Sequence, residues 1–109
     1  MAEPSIKVTE SQLQRQVETI LTGLGYLWFH DRSLQHASVR TSKPGFPDIC
    51  AVHPRSGALI FIELKSDKGK MRPAQLEWKN ALLNSEATYF GPIKPCDFDF
   101  LVTSLAALA

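Results

Sequence analysis

The sequence predicts a single α/β domain with the element order α-β-β-β-α-β-α. Three observations carry that prediction. Leu13, Val17, Ile20, Leu21 and Leu24 recur at the spacing of one helical face. Two short apolar runs, Ile49-Cys50-Ala51-Val52 and Leu59-Ile60-Phe61-Ile62, are separated by the turn residues Pro54-Arg55-Ser56-Gly57, the mark of a hairpin. Pro73 then opens a second helical stretch, after which a short strand and a last helix follow.

The first helix is expected over Thr9–Leu24. Thr9 can cap it with Gln12 at the third helical position, and Gly25 ends it. Tyr26-Leu27-Trp28-Phe29 is rich in aromatics and reads as a strand. Asp31 to Pro47 is long and mostly polar, and loops of that length in a compact domain are usually functional or mobile. The hairpin strands are expected at Asp48–Val52 and Ala58–Leu64. Ser66 to Arg72 is a basic loop, and the next helix runs from Pro73 to about Ser85. Ala87 to Phe90 is a short strand closed by Gly91-Pro92. Asp97 can cap the last helix, which reaches about Leu108.

At 109 residues the chain is one domain with a single modest core. A hydrophobic fraction of 44% with 21% charged residues is ordinary for a soluble globular protein. No apolar run is as long as a membrane helix requires. The start, Met-Ala-Glu-Pro-Ser, lacks the regions of a signal peptide, and an intracellular protein is expected. Cys50 and Cys96 are too few for a disulfide scaffold, and Cys50, inside an apolar strand, reads as a small core residue.

Net charge is only +1, which by itself says nothing about nucleic acid. The distribution says more. Lys65, Lys68, Lys70 and Arg72 fall close together against one acid, Asp67. His30, Arg32, His36, Arg40 and Lys43 cluster before the hairpin against Asp31. A patch of one sign beside carboxylates suits a phosphate backbone. An ordinary solvated loop would carry lysines too.

Pro47-Asp48 opens the first hairpin strand, and Glu63-Leu64-Lys65 closes the second. Charges are costly in an apolar strand, so Glu63 and Lys65 call for compensation. Side chains alternate along a strand, so Leu59, Phe61, Glu63 and Lys65 share one face and Ile60, Ile62 and Leu64 the other. Pairing across the turn brings Asp48 near Glu63 and Lys65. Two adjacent carboxylates repel, which raises their proton affinity. Magnesium, a hard cation that keeps water and phosphate in its shell, relieves that repulsion. Such a cation makes bound water a better nucleophile, and Lys65 can orient that water or stabilise the transition state. A turn aspartate with a Glu–Lys pair at a strand end is the alternative. The arrangement resembles the PD-(D/E)xK pattern of metal-dependent nucleases.

Two further residues are candidates for this site. Glu10 falls on the same side of its helix as Val17 and Leu21. It is either an additional site carboxylate or a helix-start charge favoured by the dipole. Glu18 falls towards the edge of the stripe and reads as solvated. Gln75 precedes Trp78, Leu82 and Leu83 at helical spacing and so faces inward, where its amide could hold a water or a phosphate. Lys79 lies on the same stripe, its stem covering apolar surface.

Pro44-Gly45-Phe46-Pro47-Asp48-Ile49, then Phe61-Ile62-Glu63-Leu64-Lys65, then Lys68-Gly69-Lys70 and Gln75-x-x-Trp78, together resemble the VRR-NUC (virus-type replication-repair nuclease) domain. Thr9-Glu10-x-x-Leu13-Gln14 with Gly25 is similar to that family's opening helix, so the resemblance spans roughly residues 9 to 102. It implies a restriction-endonuclease-like α/β fold, a mixed sheet flanked by helices, and phosphodiester hydrolysis with Mg2+ or Mn2+. It implies metal binding by Asp48, Glu63, the Leu64 carbonyl and a helical glutamate, which Glu10 or Glu18 could supply and Glu10 matches. It makes Lys65 the catalytic lysine and Gln75 the glutamine after the basic loop. Lys68, Lys70, Arg72, Lys43 and Arg40 are the expected DNA contacts. A stand-alone copy resembles the viral and bacterial members, which look like homodimeric four-way-junction resolvases. That implies branched DNA as substrate and bacterial or phage-infected host cytoplasm as location. The dimer surface is expected at Tyr26–Phe29 or at Phe98, Phe100 and Leu101.

Overall fold

A computed structural model describes residues 7–30 and 44–109. The first helix, α1 (Glu10–Gly23), starts on the expected capping box. Gln12 N–H donates to Thr9 Oγ1 at 3.1 Å, and Thr9 N–H donates to Gln12 Oε1 at 2.9 Å. These bonds satisfy two backbone donors that a helix start leaves open. Gly25 follows with φ +89° and turns the chain into β1 (Leu27–His30). Next come β2 (Ile49–Val52), β3 (Leu59–Leu64), α2 (Pro73–Leu83), β4 (Thr88–Ile93) and α3 (Phe98–Leu108).

The order is the one the sequence predicts, and the sheet is mixed. Its strands lie in the order β1-β2-β3-β4, antiparallel except for the parallel pair β3–β4. The parallel pair needs a crossover, and α2 supplies it. The hairpin register sets Ile49 opposite Ile62 and Val52 opposite Leu59. Continued by one residue, it sets Asp48 opposite Glu63.

The two faces of the sheet differ. The inner face carries Ile49, Ala51, Ile60, Ile62 and Leu64, packed with Leu13, Val17 and Leu21 of α1 and Leu101 and Leu105 of α3. Burying these side chains is the main stabilisation, about 1.5–3 kcal/mol for each large one. The Tyr26 hydroxyl donates to the Leu105 carbonyl at 2.7 Å and ties α3 to the start of β1. The outer face is covered in part by α2, where Phe46 meets Trp78 and Phe61 edge to face. Cys50 lies on this outer face and is half-buried, so it is not the core residue its apolar strand suggested.

Two other expectations shift. The last strand does not close at Gly91-Pro92 but continues through that cis peptide to Ile93. Proline lacks a ladder donor, and β4 can hold it because it is an edge strand. Asp97 does not cap α3 through its side chain; its carboxylate instead accepts from Lys94 N–H at 2.9 Å, closing a 3₁₀ turn at Pro95–Asp97. Of the long polar stretch only Pro44 to Pro47 falls within the described residues; Arg40 and Lys43 lie outside them. No helix among the described residues is long and apolar enough to cross a membrane.

Candidate active site

The end of β3 brings the charged residues together. Glu63 is only 1% exposed and Lys65 8%, so both ends of the Glu-x-Lys pair are buried. A β-bulge accompanies them: between Ile62 and Leu64 of β3 lies one residue, but between their partners Phe90 and Ile93 lie two. Bulges re-aim side chains and are frequent beside active sites. Lys65 N–H donates to the Ile93 carbonyl at 2.9 Å, which prolongs the pairing past the end of the strand.

Asp48 Oδ2 accepts from Leu64 N–H at 2.8 Å, which fixes its carboxylate across the hairpin. Glu63 stands beside it. Burial first, then the neighbouring Asp48 carboxylate, push Glu63 up to about 9, while Lys65 pulls the other way. Without a cation the pair therefore holds a proton near neutrality.

Gln75 reaches this pair, although Leu83 of its expected inward stripe is exposed. Its Oε1 accepts from Arg72 N–H at 2.8 Å, so one amide end is committed to the start of α2. That orients Nε2, which donates to Glu63 Oε1 at 3.0 Å. Glu63 Oε2 is buried with no hydrogen-bond partner among the described residues. Gly45 permits the approach of α2. It has φ +82°, and a Cβ there would lie 2.4 Å from the Ala74 carbonyl carbon.

Glu10 and Glu18 separate clearly. Glu10, the first residue of α1, is exposed rather than inside the apolar stripe. It still senses the site. Partial desolvation and the Asp48 charge raise its carboxyl, while Lys65 and Arg72 lower it. Its surroundings include Ser66, Asp67 and Lys68 of the basic loop. Glu18 sits two turns on, against β1, where Gln14 Nε2 donates to its Oε2 at 2.8 Å and His30 Nδ1 is 3.9 Å away. Lys68, Lys70 and Arg72 are all exposed along the rim.

Among the described residues no three His, Cys, Asp or Glu side chains gather closely enough to hold a metal ion by themselves. Glu10 thus does not close a carboxylate triad with Asp48 and Glu63. The pair nonetheless fits a hard cation. It offers oxygen donors only, and one is buried without a partner.

Tyr89 was not singled out by the sequence. It belongs to β4, faces outward beside Phe61, and its hydroxyl is buried without a partner among the described residues. Burial, then Glu63 and Asp48, raise its phenol above the ordinary range. An aromatic residue two positions before a strand glycine was the available signal.

A four-stranded mixed sheet with an acidic pair and a buried lysine at one end defines a nuclease domain of the PD-(D/E)xK type. Comparison with known families makes this particular: the VRR-NUC domain matches residues 6–90, and the chain belongs to that family. A solved structure titled as a VRR_NUC domain is similar in fold, with a TM-score of 0.69 at 22% identity, over 88% of this chain and 97% of that one. A search of curated proteins returns no match.

Proposed function

We propose that the domain is a Mg2+-dependent endonuclease that cuts branched DNA, with Holliday junctions as the preferred substrate. The observation that carries the catalytic part is the buried Glu63 beside half-buried Asp48, with one Glu63 carboxyl oxygen unsatisfied. A buried carboxyl oxygen left unsatisfied is costly, and a divalent cation with phosphate removes that cost. Asp48, Glu63 and the Leu64 carbonyl would hold the cation, with Glu10 adding negative charge at the mouth. The cation supplies Lewis acidity and a more nucleophilic water at the phosphodiester. Lys65 would act on the same phosphate, and Gln75 holds Glu63 in place. Lys68, Lys70 and Arg72 on the rim would take the backbone phosphates. Arg40 and Lys43 are proposed as further contacts.

The substrate and assembly rest on the family and on symmetry. Resolving a four-way junction takes two cuts, and a two-fold dimer supplies two sites. Of the expected dimer surfaces, Tyr26 and Leu101 are buried in the core and drop out. Leu27 and Phe29 on the edge strand β1 are each 64% exposed, and Val52 and Leu59 continue that apolar stripe across the outer face. Phe100, 62% exposed, is the other candidate.

The test is cleavage of labelled duplex, flap, splayed and four-way DNA with magnesium. The expected result is junction cutting that Asp48→Ala, Glu63→Ala or Lys65→Ala each abolish in a folded protein. Full activity in EDTA, or in any of those variants, would falsify the metal-site assignment. Preferential cutting of flaps or single nicks would make it a flap or nicking nuclease of this fold. Binding with no cutting of any substrate would make it an inert DNA-binding module.

A further inference from the structure

Tyr89 sits beside the proposed cation pair for reasons built into β4. Its Cα partner is Phe61, so its side chain stands on the outer face with Phe61 and Glu63. The bulge residues Gly91 and Pro92 lie opposite Glu63. A Cβ placed on Gly91 would lie 2.5 Å from the Tyr89 hydroxyl oxygen and 2.7 Å from Cζ. The ring therefore lies along β4 over the bare Gly91 backbone, and its hydroxyl reaches the level of Glu63 on the neighbouring strand. Adjacent strands are about 4.8 Å apart.

Two buried side-chain polar atoms lack a hydrogen-bond partner among the described residues: the Tyr89 hydroxyl and Glu63 Oε2. Buried polar atoms in native proteins are nearly always satisfied, by protein or by ordered water. Here one is a donor, the other a carboxylate acceptor, and both belong to one site. A Phe at 89 would fill the same space with no orphaned hydroxyl, so packing alone gives no reason for the phenol.

We propose that Tyr89 is a positioning residue of this site, its hydroxyl donating a hydrogen bond to a water held against the Glu63 carboxylate. Gln75 holds the Oε1 side of Glu63 and Tyr89, through that water, the remainder. Glu63 is thereby kept in the orientation that receives the cation. Hydrogen-bonded partners of metal ligands tune affinity in this way. The proposal rests on the reading of Asp48 and Glu63 as a cation pair.

The experiment is Mn2+ binding by calorimetry to the full chain without DNA, together with thermal melting in EDTA. Wild type is compared with Tyr89→Phe, Gly91→Ala, the double variant and Glu63→Ala. Tyr89→Phe is expected to weaken Mn2+ binding about tenfold, with a melting temperature equal to wild type or higher. Gly91→Ala keeps the hydroxyl but pushes the ring aside, so it should weaken binding similarly. In the double variant it should add nothing to Tyr89→Phe, because the displaced hydroxyl is already gone. Wild-type affinity in Tyr89→Phe would overturn the proposal, as would a loss matched by a lower melting temperature. The Glu63→Ala arm separates the two readings. If it loses Mn2+ and Tyr89→Phe does not, only the role of Tyr89 falls. If it binds like wild type, the cation pair itself falls and Tyr89 with it.

Discussion

Glu63 concentrates the chemistry of the chain in one carboxylate. Burial and Asp48 raise it to about 9, so the metal-free folded state holds a proton there that the unfolded chain has released. Native then binds more protons than unfolded between the ordinary carboxylate range and that value. Stability should be fully present below that window and fall as pH rises through it, by up to about 1.4 kcal/mol per pH unit. Melting in EDTA from pH 5 to pH 9 would read this slope. Glu63→Gln should flatten it, and saturating Mn2+ should raise the melting temperature most at high pH. A slope unchanged by Glu63→Gln would mean another group carries it. Gln75 offers a second measurement. Gln75→Ala removes the bond to Glu63 and the one to Arg72 N–H, so cleavage should drop by at least about tenfold and stability by about 1 kcal/mol. Activity at the wild-type level would show that its amide does not orient Glu63.

At the scale of elements, the site depends on how α1 and α2 begin. The capping box at Thr9 and Gln12 fixes the turn that carries Glu10, and Thr9→Ala should cost about 1 kcal/mol in urea unfolding. The start of α2 is held against the Gly45 turn so tightly that a Cβ would strike the Ala74 backbone. Gly45→Ala should therefore cost about 2–4 kcal/mol and displace Gln75 from Glu63. A variant of wild-type stability would mean the turn relaxes freely. The apolar period of α1 and its capping box were legible because they are local. The full length of β4 was not, because a Gly-Pro pair reads as a stop and only an edge position lets the strand continue. Nor was the role of Asp97, which depends on where Lys94 N–H points.

On the scale of the whole molecule, one face of the sheet makes the core and the other makes the site. The outer face passes from the apolar row Leu27, Val52 and Leu59 to the acidic row Asp48 and Glu63, with the basic rim beyond. Changing Lys68, Lys70 and Arg72 together should weaken DNA binding and lower its salt slope by up to about three units, while Glu63→Ala should bind DNA at least as well as wild type without metal. Unchanged affinity and slope would remove the loop from the DNA interface. Sedimentation should show a homodimer that Leu27→Asp with Phe29→Asp dissociates. A monomer with DNA bound at micromolar concentration, together with equal cutting of duplex and junction, would remove the two-fold model.

By itself the sequence determined the element order, the hairpin and the placement of Asp48, Glu63 and Lys65 at one end of it. Those follow from alternation and helical period, which act over a few residues. Its motifs also carried the family. Tertiary structure decided the rest. It set Glu10 rather than Glu18 near the pair: Glu10 senses Asp48 and Lys65, while Glu18 meets Gln14. It brought Tyr89 to Glu63, because a parallel strand distant in sequence pairs there and bulges at Gly91. Both outcomes depend on which strand lies next to which and on where a helix end falls, and no local periodicity encodes either.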